Sequence, residues 1–413
     1  MTSSLTIEVT IVGAGPYGLS LAAHLEVRRV PFRIIGLPMD FWQRSMPRGM
    51  SLKSEGPASS IYDPSRSFMI SHYCAEENIP YADFGVPVSL ETFISYGLAF
   101  QQRYVPSVEQ LVVTTVKKHE DGFTLSLDTG ETFTTRKLVL AIGVGYFSHV
   151  PSVLSNLPNA FVTHSSQHVD LNAFADQDVA IIGAGASALD LAALLDQVRA
   201  RPVVITRQPS LRFHDRPRLP RTILDRLRAP SSGIGAGWPS WIYCKFPLLF
   251  HYLPERQRLK MTKTKLGPVG GWFIKDAVVG RVPTIVNSRV VEAFTDGGRV
   301  HLRLRSNKEE IVQVAVNQVI AATGYRVDVD RITFLDETLR IRIDTAEKAP
   351  ILSSNFETSI PGLYFIGPAA ANSFGPIQRF AVGAKFAARR VSRSLANSKS
   401  SRSDRRLASF RLQ

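Results

Sequence analysis

From Thr6 to Val12 the chain is apolar and β-branched apart from Glu8, the pattern of a buried strand, and Gly13 ends it. Small and apolar residues from Pro16 to Leu25 then predict the first turns of a helix. The same succession returns at Val179–Leu195, VAIIGAGASALDLAALL: a strand, a glycine turn and an Ala/Leu-rich helix. Short apolar runs follow each copy, at Pro31–Ile35 and Val203–Thr206, and read as second strands. A helix is expected over 85–104, after turns at Pro80 and Pro87. Between 110 and 142 apolar and polar residues alternate, with turn signals at Asp121-Gly122 and Thr129-Gly130. That predicts an antiparallel meander whose last strand, Leu138–Gly143, returns to the first sheet. Strands recur around 284–294, 299–304 and 311–322. Pro361–Pro368 reads as a closing strand, with a helix from Pro376 to about Leu395. Residues 208–280 break the rhythm and read as an inserted lid whose aromatics, Trp238, Trp241, Tyr243, Phe246 and Phe250, are expected to form core.

The punctuation between strand and helix carries chemistry. Gly13, Gly15 and Gly18 are spaced G-x-G-x-x-G. The first permits a tight turn, the second lets backbone approach a pyrophosphate, and the third lets helix pack on strand. A branched side chain at Gly13 is expected to meet the pyrophosphate, which would sit at a helix N-terminus. The second copy has Gly183, Gly185, Ala186, Ser187 and Ala188, with Ala188 in the third-glycine place. Two such sites on one chain point to two dinucleotides meeting for electron transfer. The first fold has Gly36 where an acid normally bonds the adenosine ribose, and its next acid is Asp40. The second has Arg207, with Arg212 behind it. A guanidinium suits a ribose 2′-phosphate and favours NADPH over NADH.

Composition narrows the class. The 413 residues suffice for two or three domains, and the 44% apolar content is that of a globular enzyme. The first residues lack the charged and apolar regions of a signal peptide, and no apolar run is long enough to span a bilayer; a cytoplasmic enzyme is expected. Cys74 and Cys244 form no C-x-x-C pair. The net charge of +14 comes from Arg199–Arg228 and from Lys385 onward. The tail has no interleaved aromatics, so no nucleic-acid partner is expected. His164 and His168 stand four apart without a third ligand, and no metal is expected.

Together these motifs resemble the two-dinucleotide-binding-domain flavoprotein monooxygenases. Ala322-Thr323-Gly324-Tyr325 matches the segment joining their domains, and Pro361–Gly367 their C-terminal flavin strand. His164-Ser165 followed by His168 is similar to the end of the flavin monooxygenase signature; Pro158, Ala160 and His168 depart from it. The Trp42…Met46-Pro47-x-Gly49-Met50 loop resembles the flavin-side loop of the ornithine and lysine N-hydroxylase branch. The resemblance implies an α/β fold of two Rossmann-like domains, the NADPH domain inserted into a discontinuous FAD domain, with a small helical insertion. The expected parts are a first FAD-binding segment over 1–160 and an NADPH domain over 161–320 with its insertion at about 208–280. A second FAD-binding segment over 321–396 and a basic, unstructured tail over 397–413 complete the chain.

The resemblance also implies the site. FAD contacts are expected from Gly13, Gly15, Pro16, Tyr17, Gly18, Trp42, Gly367, Pro368, Phe374, Gly375 and Pro376. Met50, Leu52 and Lys53 are expected to line the flavin ring, with Met50 and Lys53 the candidates nearest the chemistry. NADPH contacts are expected from Gly183, Gly185, Ala186, Ser187, Ala188, Arg207 and Arg212, and Thr323 and Gly324 join the two. The implied activity is FAD-dependent hydroxylation of a soft nucleophile, an amine or amino acid, by NADPH and molecular oxygen activated at the flavin C4a carbon. A flavin reductase passing electrons to another acceptor is the alternative, and a binding protein without catalysis ranks last. A homo-oligomer is compatible with the family.

Overall fold

The computed structural model describes residues 6–217, 221–267 and 269–410, with side chains described to 397. Two parallel sheets organise the chain. In the first, Ile7–Val12 lies between Phe32–Ile35 and Thr132–Leu140, parallel to both, and Val108–Glu109 extends the edge beyond Phe32–Ile35. The nine-residue strand Thr132–Leu140 does two jobs. Its first half pairs antiparallel with Gly122–Leu127, which in turn pairs with Val113–His119 as the alternation predicts. Its second half pairs parallel with Leu363–Phe365, Leu363 opposite Leu138 and Phe365 opposite Leu140. The second sheet has the order Thr284–Ile285, Arg201–Ile205, Asp178–Ile182, Gln318–Ala321, Val162–His164, all parallel. A three-stranded antiparallel sheet, Ser288–Asp296, Arg299–Ser306 and Ile311–Val316, packs beside it. The chain therefore leaves the first sheet after Leu140, builds the second, and returns to the first with Leu363–Phe365.

Each glycine turn opens a helix: α1 (Pro16–Val27) follows the first, and α3 (Ala186–Gln197) the second. Between them, α2 (Leu90–Tyr104) begins five residues later than expected. Ser89 Oγ accepts the Thr92 N–H at 3.0 Å and caps it, downstream of the break at Pro87. The insertion is helical: α4 (Ile223–Arg228), α5 (Trp238–Lys245), α6 (Pro247–His251) and α7 (Glu255–Thr264). Its aromatics do not all form core. Tyr243 and Phe250 pack on Ile377, whereas Trp238 and Phe246 are exposed.

The C-terminal segment also differs from expectation. Two short 3₁₀ turns, Pro376–Arg379 and Ala381–Gly383, precede α8 (Ala384–Phe410), so Pro376 does not open the long helix. α8 contains no Pro or Gly, and its backbone continues through Phe410, past the expected tail boundary at 397. Residues 411–413 of that tail lie outside the described residues.

Two crossings join the sheets, and they pair with each other. The His149 N–H donates to Gly324 O at 2.9 Å, and the Arg326 N–H donates to Phe147 O at 2.7 Å. Thr323 Oγ1 donates to His149 O. The Ala-Thr-Gly-Tyr segment is thus stitched to the outgoing strand of chain.

Candidate functional site

A cleft of about 1800 Å³ separates the two sheets, roofed in part by the helical insertion. Ordinary small-molecule pockets occupy roughly 300–1,000 Å³, so this one has room for more than one ligand.

The first glycine turn forms one wall. Gly13 has φ +111°, and a Cβ there would stand 2.4 Å from Ala141 O. Its constraint is therefore the neighbouring strand, not the pyrophosphate as the sequence suggested. Gly15 is the open position: its φ is an ordinary −85°, and a Cβ there would meet nothing within 4 Å. A Cβ on Gly18 would lie 1.8 Å from Gly13 O, so this residue lets α1 close on the turn and does not line the cleft. The cradle a side chain would fill is thus at Gly15, at the start of α1, where unpaired N–H groups favour a phosphate. Tyr17 lines the same wall, and its hydroxyl donates to Gln378 O or Phe380 O, both at 2.9 Å. Burial pushes its pKa well up.

The second turn repeats the geometry with a smaller share of the wall. Gly183 has φ +136°, and its Cβ would meet Ala322 O at 2.4 Å. Ala188 is fully buried in the third-glycine place. Ala186 and Ser187 line the cleft; Gly183, Gly185 and Ala188 form the turn behind them. Arg207 and Arg212 are exposed at and beyond the end of Arg201–Ile205, outside the lining. Arg216, Arg221 and Arg228 line it instead.

The loop after α1's sheet edge links the two halves. The Arg48 N–H donates to Val169 O at 3.0 Å, and Gly49 faces Leu194 of α3. Ser51 bridges Ser89, the Leu52 N–H donates to Val88 O at 2.8 Å, and the Leu90 N–H donates to Met50 O. This pairing turns Leu52 into the first core, 7% exposed, and neither Met50 nor Leu52 lines the cleft, contrary to expectation. Met46, Phe41 and Trp42 do line it. Lys53 reaches the cleft and ion-pairs with Asp190 of α3. The two side chains are 14% and 4% exposed, so solvent screens the pair little. Burial raises the Asp190 pKa, and the Lys53 ammonium opposes that rise. Lys53 also stands 5.7 Å from the Phe273 ring centroid.

Other cleft groups are tuned by burial. Glu55 is pushed up by burial, against one N–H from Gly85 at 3.2 Å. Tyr325 is pushed up to about 12 by burial, with Ser165 and Ser166 hydroxyls opposing. His214, solvent-exposed at the edge of the cleft, is pushed down by partial desolvation and by the nearby Lys53. Away from the cleft lining, His164 Nε2 bonds Gly324 O at 3.1 Å and Nδ1 bonds Ser166 Oγ at 2.8 Å, while His168 Nε2 bonds Thr163 Oγ1 at 2.7 Å. Both rings are partnered within the protein and held below the ordinary histidine pKa by burial.

The cleft therefore brings together Gly13, Gly15, Pro16, Tyr17, Trp42, Lys53, Ala186, Ser187, Thr323, Gly324, Gly367 and Pro368. It leaves out Phe374, Gly375 and Pro376. Phe374 is fully buried, stacked at 3.9 Å on Phe356, and Asn372, Arg379 and Phe380 take the wall nearby. Asp190 was not anticipated, although one acid inside the apolar run ALDLAALL was its signal. Asp40, missing its expected place at residue 36, lines the cleft and is paired with Arg44 at 2.9 Å.

This arrangement has known counterparts. A family model described as pyridine nucleotide-disulphide oxidoreductase matches residues 91–230. Ferredoxin–NADP reductase 2 of Shouchella clausii is 27% identical over 215 residues, 50% of this chain and 56% of its own length. The chain thus spans little more than half of that relative. The probable indole-3-pyruvate monooxygenase YUCCA4 of Arabidopsis thaliana is 26% identical over 348 residues, 77% of this chain and 75% of its own. The solved ornithine N-hydroxylase of Kutzneria sp. 744 superposes over 95% of this chain and 100% of its own with a TM-score of 0.75, at 17% identity. In fold the chain is similar to these two-domain flavin monooxygenases, with two Rossmann-type parallel sheets facing one cleft. The Gly15 cradle and the start of α3 at Ala186 and Ser187 share one cleft, and each fits a dinucleotide pyrophosphate, as FAD and NADPH would bring. Among the described residues, no helix is long and apolar enough to cross a membrane.

Proposed function

We propose that the chain is a FAD- and NADPH-dependent monooxygenase that hydroxylates the amino group of an amino acid or small amine. One observation carries the reading: a single large cleft receives both glycine turns, and aromatic and apolar side chains, Phe41, Trp42, Met46 and Phe273 among them, wall the space between. When bound and reduced by NADPH, FAD supplies the activation of molecular oxygen. The protein's own task is to bind, orient and keep water out. Gly15 and the α1 N-terminus hold one pyrophosphate, and Ala186 and Ser187 at the α3 N-terminus hold the other. Thr323 and Gly324 close the cleft where the two crossings pair. The Lys53 charge is already matched by Asp190, so its work is to hold loop to α3, and a substrate carboxylate must look to the cleft arginines. Glu55, with its raised pKa, is the acid in the cleft suited to accept an amine's proton. The cytoplasm supplies the NADPH.

The similarity to ferredoxin–NADP reductases favours a second reading, electron transfer to another acceptor. Stoichiometry separates the two. With a panel of diamines and ω-amino acids, hydroxylation requires one substrate to couple NADPH and oxygen use to a hydroxylamine product with little peroxide. Full conversion of oxygen to peroxide with every amine, together with fast reduction of a ferredoxin, establishes the reductase instead.

A further inference from the structure

We infer that the helical insertion docks the protein on an anionic lipid bilayer. The inference rests on the distribution of apolar and basic side chains over α4 to α7 and is independent of the reaction assigned to the cleft.

α5 and α6 have an inner and an outer face. Tyr243 and Phe250 turn inward and pack with Ile377. The outer face is apolar as well, the reverse of an ordinary surface helix. Trp238, Trp241 and Phe246 form a continuous edge-on series, with ring centroids 5.5 and 5.7 Å apart. Trp238 is 51% exposed, Leu249 60% and Tyr252 68%. On α4, Ile223, Leu224 and Leu227 share one side of a two-turn helix, and Ile223 is 78% exposed. So many large apolar side chains on one short segment mark an interaction surface.

Charge identifies the partner. Residues 221–267 hold nine Lys and Arg against two acids, a net +7. Lys263, bonded to Glu347, is the one insertion cation in an ion pair among the described residues. Arg226, Lys245, Arg256 and Lys260 are exposed around the apolar residues. Trp, Phe and Leu beside Lys and Arg form the composition of a helix lying in a membrane interface, rings and aliphatic chains below the headgroups and cations among the phosphates. A second copy of this chain would set +7 against +7 across a two-fold axis. A nucleic acid would find aromatics to stack on but would leave Ile223, Leu224, Leu227 and Leu249 in water.

Docking would also place the cleft. Ile234, Ser240, Thr262 and Leu266 of the same insertion line it, so α5 turns Trp238 outward and Ser240 into the cleft two positions later. The mouth then opens beside the headgroups, within reach of an amphiphilic substrate.

The test is flotation of the FAD-loaded full chain with phosphatidylcholine vesicles, with and without phosphatidylglycerol. The expected result is binding to the anionic vesicles, release by salt, and quenching of tryptophan fluorescence by brominated acyl chains. Two variants share the prediction: Trp238→Ser with Phe246→Ser and Leu249→Ser, and Lys245→Glu with Arg256→Glu and Lys260→Glu. Each basic side chain is worth about fivefold in partitioning, so the second variant should lose at least about 100-fold. Both should keep their flavin and its anaerobic reduction by NADPH, since none of the six residues lines the cleft. Absence of flotation by the unaltered protein overturns the inference, as does flotation undiminished in both variants. A lipid-free dimer that the apolar variant dissociates, with no flotation, assigns the face to a second copy and overturns it as well.

Discussion

The two glycine turns are built alike and placed differently. In the first, five consecutive residues from Gly13 to Tyr17 line the cleft, and Tyr17 is tied to the C-terminal segment through Gln378 O and Phe380 O. In the second, Ala186 and Ser187 alone of the turn line it. The packing tolerance differs in the same sense. A Cβ at Gly18 would sit 1.8 Å from Gly13 O, whereas the second turn accommodates Ala188. A deep, tightly closed turn suits a cofactor that stays, and a shallow one suits a cofactor that enters, reacts and leaves. The comparison supports FAD at the first and NADPH at the second.

The largest break in this comparison is Gly15→Val. The backbone there suits any residue and a Cβ meets nothing, so the variant should fold. Its side chain fills the pyrophosphate cradle, and the purified protein should be colourless and inactive. A yellow variant with a full complement of flavin removes Gly15 from the site.

Next is the tie between the halves. Lys53→Met leaves the buried Asp190 carboxylate without its cation and should cost about 3–5 kcal/mol at neutral pH. The sign with pH follows from burial, which raises the folded-state pKa of Asp190. Below the ordinary carboxylate range both folded and unfolded states are protonated and the loss is small. It grows as pH rises through that range toward the folded value. Denaturant midpoints at acid and neutral pH measure it, and Lys53→Met with Asp190→Leu should recover most of the stability. A pH-independent loss contradicts the buried pair.

Two smaller effects bear on the second turn. Ser187→Asp places a negative charge at the α3 N-terminus, where the account puts a phosphate. It should raise KM for NADPH about tenfold while the flavin stays bound. Loss of flavin in this variant would show that the two turns are not separable. Arg207→Gln should raise KM for NADPH several-fold and leave KM for NADH unchanged, as loss of a 2′-phosphate contact requires. Equal changes would move that contact to the cleft arginines, Arg216, Arg221 or Arg228.

The strand–turn–helix units were legible because their information is local: a run of buried apolar residues and glycines at fixed spacing. The meander was legible from alternation and its turns. What escaped depends on residues far apart in the chain. Lys53 was noticed as a charge beside the flavin-side loop, but its partner lies 137 positions away. Met50 and Leu52 were placed on the cleft by analogy, and pairing with the Val88–Leu90 stretch turned the loop otherwise. The insertion's aromatics could be counted in the sequence, yet apolar residues look alike whether a neighbouring helix or water faces them. Tyr243 and Trp238, both on α5, went opposite ways. At the C-terminal end, two 3₁₀ turns where one helix was expected moved the cleft wall from Pro376 to Arg379 and Phe380.

The central claim is one resident flavin and one visiting nicotinamide cofactor in a shared cleft. Its most direct test is anaerobic titration of gel-filtered protein with NADPH, followed by absorbance. The account predicts one FAD per chain retained through filtration and bleached by one equivalent of NADPH, with NADP⁺ removed by a second filtration while the flavin remains. Protein that emerges without flavin, or flavin that NADPH fails to bleach, contradicts it.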